Sequence, residues 1–172
     1  MSATCKNDEQ KRRLRKALGR FPTGVAIVTA ISDDNRPVGM TINSLTSISL
    51  APALLAWSID RGAASYEVFT NADRFAVTVL SDQQAELAMR FATRGADKFE
   101  GLEFDRRDAP VIPDACARFQ CDSWRSIPLG DHTMLVGKII DYDHSALPPL
   151  VFLGGQFQPA ESGLPANTLA AA

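Results

Sequence analysis

Short runs of apolar and β-branched residues, separated by turn-forming residues, are the feature that most restricts the fold of this chain. Eight such runs predict strands, and three other segments have helical patterns, at residues 8–20, 63–70 and 81–92. The predicted strands are residues 24–30, 38–43, 45–50, 53–59, 75–80, 115–125, 133–142 and 150–153. Because the helices do not alternate regularly with the strands, the pattern favours a mainly β fold. We expect an antiparallel barrel with peripheral helices rather than a doubly wound sheet.

The length of the chain, 172 residues, is enough for one domain with a sizeable core. We expect a single domain over residues 1–158. The small, polar segment 159–172, which carries Pro and Gly, is expected to be a disordered tail. The net charge of -2 argues against a nucleic-acid binder or a binder of anionic membranes.

The cysteines predict neither a disulfide nor a metal site. Cys116 and Cys121 have an odd separation within a predicted strand, so their side chains should point to opposite faces. With only two histidines, a histidine-rich metal site is excluded. Residues 1–20 lack the apolar stretch of a secretory signal. Reduced thiols then lead us to expect a cytoplasmic protein.

Three common nucleotide or hydrolase motifs are absent from the sequence. It contains no G-x-G-x-x-G after a strand, no G-x-x-x-x-G-K-[ST] and no G-x-S-x-G. A dinucleotide site of the Rossmann type, a phosphate-binding P-loop and a serine nucleophile elbow are therefore disfavoured.

Two segments carry polar groups that suit a ligand. Thr41, Asn43 and Ser44 end an otherwise apolar strand and offer donors and acceptors, although an ordinary strand end followed by a turn would look the same. Arg61 and Ser65 precede a short predicted helix, whose free N–H groups would suit a phosphate. An ordinary capped helix with a solvated arginine is the alternative.

Seven segments, taken in order, resemble one known family. They are F-P-T-G-V-A-I-V-T (21–29), P-V-G-M-T-I-N-S-L-T-S-I-S (37–49), F-A-V-T-V-L (75–80), K-F-E-G (98–101), G-D-H (130–132), V-G (136–137) and G-G-Q-F (154–157). Together they resemble the flavin reductase-like family, whose FMN-binding fold is a split β-barrel with a Greek-key-like strand order. The resemblance covers about residues 13–158.

The resemblance implies an NAD(P)H-dependent flavin reductase. Hydride would pass from the nicotinamide of NADH or NADPH to FMN, or to FAD. It also implies a homodimer that supplies reduced flavin, mainly by diffusion, to a partner monooxygenase acting on an aromatic compound. Three alternatives stay open. They are a split-barrel protein that binds flavin without catalysis, an enzyme like pyridoxamine-phosphate oxidase, and a ligand-binding barrel of another kind that does not bind flavin.

The same resemblance implies a set of site residues. Those expected to bind the cofactor are Thr23, Gly24, Val25, Met40, Thr41, Ile42, Asn43, Ser44, Ser47, Ser49, Arg61, Ser65, Lys98, Phe99 and Phe157. Phe157 stands where a tyrosine is common in the family. His132 is expected to position the nicotinamide or the flavin. Strand alternation argues against a local pair between Asp131 and His132, because neighbours on a strand face opposite sides.

Overall fold

The computed structural model describes residues 3–102 and 109–160, with side chains from residue 8 onwards. The strands are β1 Thr23–Gly24, β2 Ala26–Ile31, β3 Pro37–Ile42, β4 Thr46–Leu50, β5 Ala53–Asp60, β6 Arg74–Val79, β7 Ala117–Leu129, β8 His132–His144, β9 Leu150–Leu153 and β10 Gln156–Pro159. The helices are α1 Ala3–Leu18, α2 Tyr66–Asn71 and α3 Ala85–Ala92. All strand pairs are antiparallel, which confirms the predicted mainly β, antiparallel fold with peripheral helices.

The larger sheet has seven strands in the order β3-β2-β6-β7-β8-β5-β4. In a flat sheet its two edge strands would lie about 29 Å apart, at roughly 4.8 Å per strand. Yet β3 ends at Ile42 and β4 begins at Thr46, and that length of chain spans at most about 14 Å. The sheet therefore curls until its edges approach each other, as the predicted barrel requires. A second sheet has the order β1-β9-β10.

Two buried clusters form the core, and β2 contributes to both. Val28 on one face of β2 packs with Trp57, Phe69 and Phe75 in the first cluster. Ile27 on the other face belongs to the second cluster, with Leu80, Phe91 and Leu150. Burial on both faces explains why the sequence of this strand is almost continuously apolar.

Strand β6 leads into α3 through a capping box, for which the S-x-x-Q pattern at residues 81–84 is the sequence signal. The side chain of Ser81 accepts from the main chain of Gln84, and Gln84 Oε1 accepts from Ser81 N at 3.0 Å. A 3-10 turn, Asp82–Gln84, then joins the helix. This cap fixes the direction of α3, which packs its buried Ala88 and Phe91 against the barrel.

The C-terminal half differs from the prediction in two places. The β7–β8 hairpin is longer than expected, because Ser126 and Pro128 belong to β7 and only Gly130 and Asp131 form the turn. The glycine pair after β9 makes a tight turn into β10, a strand that the sequence analysis missed. Pro159 ends β10, and residues 161–172 of the expected tail lie outside the described residues.

Cys116 and Cys121 are both free thiols, as predicted. Cys116 lies just before β7 rather than within it, and a bulge precedes Cys121. Burial raises the pKa of Cys121 to about 12, so this thiol is unreactive at neutral pH. Within the described ranges, none of the helices combines the length and apolar content that a bilayer crossing requires.

Candidate functional site

A cleft of about 820 Å³ lies along β3, an edge strand of the larger sheet. Its walls come from residues 36–41, from the start of α2, from the end of α3 and from the loop 94–99. The volume falls within the range of small-molecule sites, roughly 300–1,000 Å³. The loop that follows α3 thus lines this cleft through residues 94–99.

Gly39 forms the point where the cleft floor meets the second core cluster. A Cβ at this position would lie 2.6 Å from Cε1 of Phe91 and 3.2 Å from Cζ of Phe99. The two rings meet edge to face, with their centroids 5.1 Å apart. Only glycine allows β3 to approach the aromatic pair this closely. Packing therefore explains the glycine of the segment 37–49.

Lys98 carries the positive charge deepest in the cleft. Its Nζ donates to the carbonyl oxygen of Gly39 at 2.9 Å, which holds the loop against the edge strand. Burial lowers the pKa of Lys98, because desolvation disfavours the charged form. The ammonium group can still donate to an anionic ligand, since one of its three N–H bonds is used.

Ser65 and Thr41 both line the cleft, but their hydroxyl groups differ in their hydrogen-bond partners. Ser65 precedes α2, but its hydroxyl does not cap that helix. Within residues 8–102 and 109–160 its one contact is with the Sδ of Met40, at 3.8 Å, which is weak. Thr41 Oγ1 donates to the carbonyl of Ala88 at 2.6 Å, which ties β3 to α3. Ser65 is therefore the better candidate to donate to a ligand.

The cleft brings together five of the residues expected to bind the cofactor. These are Met40, Thr41, Ser65, Lys98 and Phe99. It also contains Arg36, Arg94 and Val68, which the sequence analysis did not select. Arg36 directly precedes the P-V-G-M-T segment, and Arg94 begins the loop 94–99 that contains Lys98. Their position beside these motif residues was the sequence signal that could have identified them.

A second group of the expected residues lies in the small sheet and the second core cluster. Thr23 pairs with Phe152 and Gly24 with Val151, both across β1 and β9. Val25 is buried in the second cluster, so its side chain belongs to the packing of the protein. Phe157 packs against that cluster too, with its ring 5.6 Å from that of Phe152.

A third group lies where the chain crosses from β3 to β4. Ile42 is buried in the first cluster, whereas Asn43 is exposed. The hydroxyl of Ser44 accepts from the main-chain N–H of Ser58 at 3.0 Å, so it fastens this crossing to β5. Ser47 is exposed and Ser49 half-buried on β4. This crossing follows directly from the cleft residues Met40 and Thr41.

Arg61 and His132 lie at one end of the β5–β8 pair. Asp60 is paired with His132, and the main-chain N–H of Arg61 donates to the carbonyl of Asp131 at 3.1 Å. The prediction against an Asp131–His132 pair was wrong, because Nδ1 of His132 lies 2.7 Å from Oδ1 of Asp131. Asp131 belongs to the turn before β8, where strand alternation does not apply.

The residues of the cleft fit the flavin phosphate expected from the resemblance. Met40, Val68 and Phe99 supply an apolar wall, and the hydroxyl of Ser65 and the ammonium of Lys98 supply donors. A phosphorylated ligand with an apolar ring needs this combination of groups. The site has no need of a strong base of its own if the ligand carries the redox chemistry.

Comparisons with known proteins agree with this chemistry. The flavin reductase like domain model matches residues 18–161. FMN reductase (NADH) SmoA of Agrobacterium fabrum is 42% identical over 151 residues, which are 87% of this chain and 86% of the relative. The reductase component of the flavin-dependent trigonelline monooxygenase of Acinetobacter baylyi is 36% identical, over 88% of this chain and 50% of its own length. The chain thus spans about half of that relative.

A solved structure also matches the fold closely. It is the NADH:FAD oxidoreductase SgcE6 of Streptomyces globisporus, in complex with NAD and FAD fragments. The TM-score is 0.81 at 34% sequence identity, over 87% of this chain and 92% of that one.

Proposed function

The chain belongs to the flavin reductase-like domain family, as its motifs predicted, and from this membership we propose that it is an NAD(P)H:flavin oxidoreductase. It transfers hydride from a reduced nicotinamide to FMN, with FAD as a further acceptor. The proposal assigns this activity to one domain over residues 1–158. The observation that carries it is the cleft along β3, where an apolar wall, Ser65 and Lys98 meet.

The flavin supplies the hydride acceptor when it is bound, so the protein has to bind and orient its two ligands. Lys98 and Ser65 hold the phosphate of FMN. Met40 and Phe99 exclude water from the apolar part of the cleft. The crossing segment, with Asn43, Ser44, Ser47 and Ser49, continues the site from Thr41 towards β4.

His132 acts as a positioning residue in this proposal. Its contact with Asp131 fixes the orientation of the imidazole ring at the end of β8. Arg61 lies beside it through the main-chain bond to Asp131. Thr23 and Gly24 support the site through the small sheet, and Val25 and Phe157 support it through the second core cluster rather than through the cleft.

Reduced flavin is the product, and a monooxygenase is the proposed consumer. The name of the Acinetobacter relative, a reductase component of a monooxygenase, supports this role. We assign the partner an aromatic substrate, and we assign the delivery to diffusion. A cytoplasmic location, expected from the reduced thiols, belongs to the same proposal.

The protein is proposed to act as a homodimer. Large apolar side chains are exposed on β4 and on β7. Leu50 is 90% exposed, Trp124 52% and Ile48 50%. Association of two copies would remove this apolar surface from water. The sedimentation of the wild-type chain, compared with that of a Leu50→Asp variant, tests the proposed homodimer.

NADH oxidation by the purified chain, followed with FMN, FAD or no flavin added, tests the activity. We expect oxidation to require added flavin. Lys98→Met should raise the KM for FMN about tenfold, the value of one charge-assisted hydrogen bond. The exposed Lys138 on β8 provides a matched control, Lys138→Met, which should leave that KM unchanged. Flavin binding without NADH oxidation would contradict the proposal, and so would equal effects of the two variants.

A further inference from the structure

Two arginines at the mouth of the cleft have no role in the site described so far. Arg36 and Arg94 line it together with Lys98, and Asp97 is the carboxylate among the lining residues. Three cations thus line the cleft beside two carboxylates, Asp97 in its lining and Asp34 paired with Arg36, in a protein whose net charge is -2. The cleft is therefore positively charged, whereas the molecule as a whole is slightly negative.

Arg36 lies in a turn between β2 and β3 that several hydrogen bonds to Ser32 hold in place. Its carbonyl accepts from the main-chain N–H of Ser32 at 2.9 Å and from the hydroxyl of Ser32 at 2.9 Å. Its own N–H donates back to Ser32 Oγ at 3.2 Å. The guanidinium forms an ion pair with the exposed Asp34, which limits its range of positions and leaves further N–H donors.

Arg94 lies on the loop that forms another wall of the cleft. The base of this loop is closed by Arg90, whose Nη1 donates to the carbonyl of Glu100 at 3.0 Å. Phe99 adds a second closure through its carbonyl, which accepts from Leu102 N at 3.0 Å. The loop is therefore anchored at its end, and Arg94 is held over the same cleft as Arg36.

We propose that Arg36 and Arg94 form a second anion subsite, which binds the additional phosphate of an adenine dinucleotide. This inference rests on the proposed function. FMN has one phosphate, for which Lys98 and Ser65 suffice, whereas a dinucleotide has a diphosphate that extends further from its ring. Guanidinium groups recognise such groups through paired N–H donors. The two arginines then distinguish dinucleotides from mononucleotides.

The diphosphate can belong to FAD or to the nicotinamide dinucleotide, because both have the same linkage. These two sources are separable, since each dinucleotide has a matching mononucleotide. FMN is the partner of FAD, and nicotinamide mononucleotide is the partner of NAD⁺. Loss of affinity for only one dinucleotide identifies which of them occupies the subsite.

The test measures dissociation constants by calorimetry for the full chain and for the variants Arg36→Gln, Arg94→Gln and both together. The flavin arm compares FMN with FAD. The nicotinamide arm compares NAD⁺ with nicotinamide mononucleotide on the FMN-loaded protein. Arg125→Gln, at an exposed position on β7, removes the same charge outside the cleft and serves as the control.

We expect the double variant to weaken one dinucleotide about tenfold or more, with its mononucleotide changed less than twofold. Equal weakening of dinucleotide and mononucleotide would overturn the subsite in favour of a general field effect. Unchanged binding, or the same loss in Arg125→Gln, would also overturn it. If the wild-type chain binds FMN and oxidises NADH, these failures concern the subsite alone. If it binds no flavin, the proposed function fails and the subsite fails with it.

Discussion

Lys98 and Gly39 are joined by a hydrogen bond from Nζ to the main-chain oxygen, 2.9 Å long, across the floor of the cleft. Gly39 lies on an edge strand, whose outward carbonyls have no neighbouring strand to bind them. The lysine therefore serves the fold and the ligand site together. A charge in this half-buried place responds to pH differently from one in water.

The affinity for FMN should fall with rising pH before a solvent-exposed lysine would lose its proton. Desolvation lowers the pKa of Lys98 below the usual 10.5, so its charge is lost earlier. Titration of FMN binding by calorimetry from neutral pH to pH 10.5 measures the midpoint. Lys98→Arg, which keeps its charge throughout, should bind FMN with little change over that interval. A similar decline in the arginine variant would assign the effect to another group.

The stability of the ligand-free protein should change in the opposite direction over the same interval. Between the lowered pKa of Lys98 and 10.5, the unfolded chain holds more protons at this position than the folded one. The contribution of Lys98 to the free energy of unfolding therefore rises with pH there. Urea unfolding of the wild type and Lys98→Met, compared at several pH values, measures the difference. A contribution that falls with pH would contradict the assigned direction.

Tyr66 and Thr133 form the next testable pair, with 2.9 Å between their hydroxyl oxygens. They connect the first residue of α2, next to Ser65, to the strand residue that follows His132. Thr133 is 2% exposed, so Tyr66→Phe leaves a buried hydroxyl without this partner. We expect a loss of about 1–2 kcal/mol in the free energy of unfolding.

A double-mutant cycle separates this bond from general packing. Thr133→Val removes the other hydroxyl, and the combined variant removes both partners, which costs less than leaving one unpaired. The double variant should therefore be more stable than the sum of the two single losses predicts. Strict additivity in urea unfolding would show that the bond contributes nothing.

The fold was predictable where a local signal coincided with the tertiary structure. The capping box at Ser81 and the doubly buried β2 gave such signals, because each depends on a few neighbouring residues. Strand β10 gave none, since its residues pair with β9 and only Phe157 is partly buried. The strand order of the larger sheet could not be derived from local patterns either, because it depends on which distant strands pair.

The site was predictable in part for a related reason. Met40, Thr41, Ser65, Lys98 and Phe99 do meet in one cleft, although they come from three separate segments. Arg36 and Arg94 were missed because an arginine in a turn or loop looks like ordinary surface until the tertiary fold places it. The Asp131–His132 pair was missed because strand alternation was applied to Asp131, which lies in the turn before β8.

His132→Ala should reduce NADH-dependent turnover more than it reduces stability. The His132 side chain is 44% exposed, so its removal opens no core cavity, but it leaves the nicotinamide without its proposed positioning group. Steady-state kinetics and thermal unfolding measure the two effects. The exposed His144, at the far end of β8, supplies the matched control His144→Ala. Unchanged kinetics in the first variant would remove His132 from the site.

The pKa of the Asp131 carboxyl provides a second test of His132→Ala, one that does not depend on activity. Its pKa lies below the usual 3.8 because His132 donates a hydrogen bond to it and adds a positive charge nearby. In His132→Ala this pKa should return towards 3.8, as followed by carboxyl NMR. A pKa that stays low would mean that the imidazole does not contact Asp131 in solution.

Gly39→Ala should impair both stability and flavin binding, because the new Cβ falls 2.6 Å from the fully buried Phe91 ring. Overpacking of this kind costs about 1–3 kcal/mol. Gly137→Ala is the matched comparison, since its Cβ would lie 2.4 Å from the buried Phe75 in the first cluster, away from the cleft. It should lower the free energy of unfolding by a similar amount, while the folded fraction binds FMN normally.

Gly24→Ala completes the series as a control for the loss of a glycine as such. A Cβ at Gly24 would meet nothing within 4 Å, so its free energy of unfolding should change by less than about 1 kcal/mol. Urea unfolding of the three variants, with FMN calorimetry of Gly39→Ala and Gly137→Ala, distinguishes their effects. Selective loss of FMN affinity in Gly39→Ala follows if the aromatic pair under β3 shapes the flavin cleft. Equal loss of affinity in Gly137→Ala would show that any disturbance of the barrel disrupts the site, and the cleft along β3 would lose its special role.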